Sequence, residues 1–165
     1  MSLVAPRTIT PSAEDVPDVD DGGEKVTAGM FWPEIVLSDA RKEMRITGTV
    51  TTSRLKHVVI EAVGHTADQL DTWRIEQQNA GFASLDTVPA MEINGQSAKV
   101  YRWRRAVYSI ARALLIETFR DVDTTGDAGE KKAAALASQA NDHWRDARWA
   151  ISDIRGEVRN SAEAF

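Results

Sequence analysis

The feature that most constrains the fold of this chain is an apolar stripe between Ser97 and Arg120. Large apolar residues recur there at steps of three and four, which is the spacing of one face of an α-helix. The stripe consists of Val100, Trp103, Val107, Ile110 and Leu114. More large apolar residues lie on the adjacent strip, so the apolar arc covers about half of the helix circumference. Such a helix needs cover from several sides, and the sequence therefore predicts that it is central.

The same periodicity predicts two helices before the central one. Ser38 is a good N-cap for a short helix through "DARKEMR". A longer helix has cap candidates at Thr52 and Ser53 and ends where Gly81 can take the left-handed conformation that closes helices. Gly64 lies in its middle and leaves a bend or break there open.

A last helix is predicted from about Glu130 to Arg155, closed by Gly156. Its inward stripe is Ala133, Leu136, Ala140, Trp144, Ala147, Ile151 and Ile154. No stretch alternates like a strand over a useful length, although the turn dipeptide Asn94-Gly95 leaves a small hairpin open. The predicted fold class is all-α, a small helical bundle of three main helices plus a short N-terminal helix.

Composition divides the chain into three regions. Residues 1–30 hold six acids against two bases, which gives −4 of the chain's −5, and they contain very few large apolar side chains. They cannot bury enough surface to offset the entropy of ordering, so they are predicted to be a flexible acidic arm. Residues 31–156 are the predicted helical bundle domain and residues 157–165 a C-terminal tail. No secretion signal and no run of roughly 20 apolar residues is present, so no membrane association is expected.

Patterns that imitate metal or catalytic sites are incomplete. The chain has no cysteine and three histidines. Residues 121–132 imitate a calcium loop, but Lys132 stands where the metal needs a bidentate glutamate. His57, Glu61 and His65 share one side of a helix without an evident fourth zinc ligand. We therefore predict no catalytic residue, no metal and no cofactor, and a protein that is not an enzyme.

One candidate contact surface is a basic face on the central helix, opposite its apolar arc. It consists of Arg102, Arg105, Arg112 and Arg120. Such a face suits acids of another subunit or the phosphates of DNA, and an exposed face without a partner is the simpler interpretation. Because the chain outside the arm is nearly neutral, protein contact is favoured over DNA. A small DNA-binding or packaging-associated helical protein using this face of helix 97–120 is the alternative function.

A second candidate lies in "NDHWRDARWAISDIRG", residues 141–156. Trp144 falls on the inward stripe, whereas Trp149 lies about 140° around the helix among polar residues. Those neighbours are Asp142, Arg145 and Asp153. A tryptophan among charges is typical of a subunit contact. Cover by the N-terminal arm or by the connection around Pro89 is the other interpretation.

Four stretches together resemble a known protein family. They are "EMRITGTVTTSRLKHVV", "NAGFASLDTVPAMEINGQSAKVYRWRRAVYSIARALL", "FRDVDTTGDAGEKKA" and "DHWRDARWAISDIRG". In order and spacing they are similar to the head completion (head stabilisation) proteins of temperate contractile-tailed phages, the family named GPL. The resemblance runs from about Phe31 to Arg159.

The resemblance implies a structural virion protein with a head-tail adaptor-like fold. Such a protein binds the portal vertex after DNA packaging, retains the genome and provides the surface to which the tail attaches. The implied partners are the portal protein, tail completion or terminator proteins, packaged DNA near the channel, and further copies in a ring of about twelve subunits. The implied location is the head-tail neck of the virion, after assembly in the host bacterial cytoplasm. Arg159 and Phe165 in the tail join the two surfaces as candidate subunit or portal contacts, and the arm or the tail is expected to order only on assembly.

Overall fold

A computed structural model describes residues 20–120 and 127–157, and the side chains of residues 119, 120, 127 and 128 are outside that description. The described residues form five α-helices and four very short strands. In chain order the elements are β1 (Lys25–Val26), β2 (Ile35–Val36), α1 (Leu37–Glu43), α2 (Thr52–Gln69), α3 (Asp71–Asn79), β3 (Glu92–Ile93), β4 (Gln96–Ser97), α4 (Ala98–Arg120) and α5 (Asp127–Arg155). Two single 3-10 turns, Asp21–Gly23 and Leu85–Thr87, complete the list of regular elements.

The long helices α4 and α5 form the main packing unit and are antiparallel, since Lys99 at the start of α4 contacts Ile154 near the end of α5; α2 also packs against α4. The apolar stripe of α4 is buried as predicted, with Leu114 only partly buried at its end. The stripe of α5 is buried from Ala140 onward except at Trp144, which is half-buried. Most of the described chain is therefore helical and α4 is central, as its wide apolar arc required.

The second predicted helix is two helices, and the break lies at Leu70. Gly64 stays inside α2, whereas Leu70 leaves helical geometry with φ −103° and ψ 3° while burying its side chain completely. Thr51 caps α2, one residue before the predicted caps, by accepting from the Arg54 N–H at 3.4 Å. The predicted ends at Gly81 and Gly156 are confirmed, because both have positive φ, which glycine adopts at low cost.

The all-α prediction needs a correction, since two small antiparallel sheets accompany the helices. β1 pairs with β2 and β3 pairs with β4, two residues in each strand. Asn94 and Gly95, with φ 52° and 74°, form the two-residue turn of the second hairpin. Two-residue strands are too short to show any alternation of polar and apolar residues, which is why the sequence pattern did not reveal them.

The predicted boundary of the flexible arm at residue 30 is also too late. Residues 20–30 are the described part of that arm, and they pack against the bundle; residues 1–19 lie outside the described residues. Asp21 is 3% exposed and forms a bidentate ion pair with Arg41, with N–O distances of 2.6 and 2.8 Å. Thr52 donates to the same carboxylate at 2.8 Å. An acid that composition assigns to solvent is thus buried, because a buried arginine neutralises it.

The helix after this segment starts at Leu37, with Val36 as its N-cap, rather than after Ser38. The connection between β1 and β2 carries Trp32, whose ring stacks on that of Trp103 with a centroid distance of 4.4 Å. Trp103 Nε1 donates to the Pro33 carbonyl at 3.1 Å. The stack and this hydrogen bond hold the N-terminal segment against α4.

Candidate functional site

The bases at the start of α4 cap the end of α5. Because the two helices are antiparallel, Lys99 Nζ donates to the Ile154 carbonyl at 2.6 Å and Arg102 Nη1 to the Asp153 carbonyl at 3.3 Å. Carbonyls in the last helical turn lack intrahelical donors and carry partial negative charge, so cations stabilise them. Burial, and then the neighbouring Arg102, lower the pKa of Lys99.

The predicted basic face is therefore not one open surface. Arg105 lies 3.6 Å from the Asp146 carboxylate of α5, and Arg102 is half-buried against the same helix. Arg112 is half-buried in a groove described below, and the Arg120 side chain is outside the described part. Helix α5 packs against part of the α4 surface that the helical period of α4 alone predicts to be exposed. Two of the four predicted bases, Arg102 and Arg105, thus lie against α5.

The predicted residues around Trp149 do come together on one exposed side of α5. Trp149 is 37% exposed, and Arg145 Cζ lies 5.0 Å from the centroid of its ring. Arg145 Nη1 also lies 3.0 Å from Asp142 Oδ1. The spacing i, i+3, i+7 places the three on neighbouring turns. We call Asp142, Arg145 and Trp149 the α5 surface; Asp153, the fourth predicted member, is half-buried.

Trp144 faces the bundle, as the stripe predicted, although it is only half-buried. Its Nε1 donates to Glu117 at 2.8 Å, and the His65 ring packs edge-on against it at 5.5 Å. His65 thus contacts an aromatic ring of α5. Over residues 20–120 and 127–157, no three His, Asp or Glu side chains are placed to hold a metal ion. Most of the calcium-like loop, residues 121–126, lies outside the description.

A groove with an apolar floor and basic residues at its sides lies between the α1–α2 connection, α4 and α5. Its volume is about 460 Å³. Arg45 and Arg112 line it together with Lys132. The apolar lining is Ile46, Val50, Leu115, Ile116 and Leu136, and the polar remainder is Thr47, Thr49 and Gln139. We call this the basic groove. Sequence reasoning missed it because its walls come from three separate segments.

Exposed apolar side chains also lie at and beside the second hairpin. Met91 is 74% exposed and its carbonyl accepts from the Ala98 N–H, while Ile93 in β3 is half exposed. Met30 is 96% exposed and lines a shallow pocket with Gln96 of β4. We call Met30, Met91 and Ile93 the hairpin surface. The signal in the sequence was the apolar residues flanking Asn94-Gly95.

Two remaining site predictions, Arg159 and Phe165, fall outside the described residues. In the part that is described, no helix is both long and apolar enough to cross a membrane. The fold and its surfaces define a class: a small, mostly helical domain whose distinguishing surface features are suited to protein contacts.

Comparison with known proteins narrows the class to one family. The family of phage head completion proteins (GPL) matches residues 26–165, so the chain belongs to that family, and the resemblance seen in the sequence is confirmed. The chain is 34% identical over 163 residues to the head completion/stabilization protein of Escherichia phage P2, covering 96% of each chain. No solved structure matches this chain.

Proposed function

We propose that this chain is a structural virion protein that completes the phage head, acting as a head-tail connector adaptor. In this role it binds the portal vertex after DNA packaging, retains the genome and provides the surface to which the tail attaches. The observation that carries the proposal is the family match over residues 26–165, together with 34% identity along nearly the whole head completion/stabilization protein of phage P2. The family and this relative are structural proteins rather than known enzymes.

Two separate exposed surfaces support an assembly role. A closed ring needs two different contact patches on each subunit, since head-to-tail contacts are heterologous. The α5 surface offers a tryptophan beside an arginine, the residue types enriched in interface hot spots. The hairpin surface offers exposed apolar side chains on different elements. We propose that these surfaces contact neighbouring copies, in a ring of about twelve, and the portal or tail proteins at the virion neck.

Complementation of a phage lacking this protein tests the function. Without the chain, packaged particles should lose their DNA to added nuclease and fail to join tails, and the wild-type protein should restore both. Restoration of neither property by the wild-type chain would refute the proposal.

The contact role of Trp149 is tested with W149A against I75A, which removes another exposed apolar side chain, from α3. A hot-spot tryptophan contributes about 2 kcal/mol or more, so W149A should weaken ring or portal binding at least tenfold while I75A does not. Equal binding by the two variants would exclude Trp149 from the interface.

The alternative function, DNA binding, predicts a different result for the isolated protein. If the isolated protein bound DNA with a steep salt dependence and did not bind the portal, the DNA-binding alternative would replace the adaptor. We expect little such affinity, because Arg102 and Arg105 are occupied with α5.

A further inference from the structure

The basic groove combines features that suit an acidic peptide containing small apolar residues. Its floor is apolar, whereas Arg45 and Arg112 bring positive charge to its sides. Within residues 20–120 and 127–157, neither arginine has a hydrogen bond or ion pair with a carboxylate. A carboxylate reaching the groove would therefore find guanidinium groups whose planar donors fit it well.

The N-terminal part of the chain enters the described structure beside this groove. Asp21 is held by Arg41, and Nη1 of the same guanidinium donates to the carbonyls of Thr47 and Val50 at 3.0 and 2.9 Å. Thr47 and Val50 also line the groove. One arginine side chain thus connects the start of the described chain to the groove wall.

The residues that precede this point have the matching chemistry. Residues 14–20 read "EDVPDVD", with four acids, no base and two valines. Residues 14–19 can span up to about 20 Å when extended, at roughly 3.3–3.6 Å per residue. This reach suffices for a segment attached beside the groove. Tethering gives it an effective concentration on the order of millimolar, which compensates for a weak intrinsic affinity.

We propose that residues 14–19 bind in the basic groove of their own chain, with the acids near Arg45 and Arg112 and the valines over the apolar floor. This inference does not depend on the proposed function, since it concerns the isolated chain.

Disulfide trapping tests the contact, and the absence of natural cysteine makes the result unambiguous. The double variant V16C/Q139C places one thiol in the segment and one at an exposed groove residue of α5. The matched control V16C/S138C moves the second thiol to the next residue, which is also exposed but is not part of the groove lining. Intrachain disulfide formation in dilute full-length protein is followed by non-reducing electrophoresis.

We expect V16C/Q139C to close at least tenfold faster than V16C/S138C. Adding R45E should remove most of that difference, as should about 1 M salt, where the screening length is about 3 Å. The matched charge reversal R148E, on an exposed residue of α5 outside the groove lining, should leave it intact. Equal closure rates at the two positions, or insensitivity to R45E, would overturn the proposal. Disulfides formed only between chains would also overturn it, assigning the groove to the segment of a neighbouring copy.

Discussion

Replacing Asp21 with asparagine should weaken the attachment of residues 20–30 to the bundle and so lower the free energy of unfolding. Asparagine keeps the shape of the side chain and tolerates the positive φ of 51° at this position, so the backbone is not newly strained. The change removes the negative charge and leaves the guanidinium of Arg41, which is 5% exposed, without its counter-ion. The variant therefore isolates the electrostatic role of the pair.

The expected cost follows from the burial of both partners. Two charge-assisted hydrogen bonds join them, and removing one member of a buried ion pair typically costs about 3–5 kcal/mol. Domains are stable by only about 5–15 kcal/mol, so the loss is a large share of the total. At roughly 2–4 °C per kcal/mol for a chain of this size, the melting temperature should fall by roughly 6–20 °C.

Urea unfolding followed by tryptophan fluorescence measures the effect, with E24Q as the control. Glu24 makes an ion pair with Lys56 at 2.6 Å in the same segment, but both partners are well exposed. An exposed pair contributes about 1 kcal/mol or less, so E24Q should unfold close to wild type. If D21N unfolded as late as E24Q, the buried pair would not be what anchors residues 20–30.

The hydrogen bond from Arg41 holds the pKa of Asp21 below its ordinary value of 3.8. The stability that the ionised carboxylate provides is therefore complete above about pH 4 and is lost as the pH falls through the lowered pKa. The difference in unfolding free energy between wild type and D21N should narrow over that acid range. Burial raises the pKa of Tyr108 to about 12. The stability that this neutral phenol provides should therefore decline as the pH rises from about 10 toward 12. Absorbance titration of the wild type against Y108F measures the pKa of this phenol. W103F loses the hydrogen bond to a backbone carbonyl and should cost about 1–3 kcal/mol in urea unfolding. Two glycine-to-alanine changes should alter the free energy of unfolding in opposite directions, each by about 1 kcal/mol in urea unfolding. G95A should destabilise the protein because alanine is strained at φ 74°, whereas G64A should stabilise it because the new methyl group meets open space within α2.

The helices could be predicted where their signals are local. The α4 stripe and the closing glycines Gly81 and Gly156 depend on neighbours within a few residues, and the structure confirms them. The burial of Asp21 could not be predicted this way, because its partner lies 20 residues further along the chain. In the composition of the chain, Asp21 cannot be distinguished from the other acidic residues.

The candidate contact residues were also predictable only where they lie close together in the sequence. Trp149 and Arg145 share one helix, so their spacing alone was enough to place them together on the α5 surface. The contacts of Arg102 and Arg105 depend on how α5 packs against α4. The spacing of residues along α4 alone could not predict them. The basic groove is less accessible still to sequence reasoning, because three separate segments build it.

The two ends of helix α2 hold different parts of the described chain. Its 18 residues span about 27 Å, with Asp21 bound beside its first turn and Arg155 donating to the Gln69 carbonyl at its last. The described chain therefore begins at one end of the bundle and finishes at the other. In a ring whose subunits stood along its axis, one rim would carry the Asp21 end of every subunit and the opposite rim the Arg155 end. Such a ring is polar, so its two sides can distinguish between different neighbours.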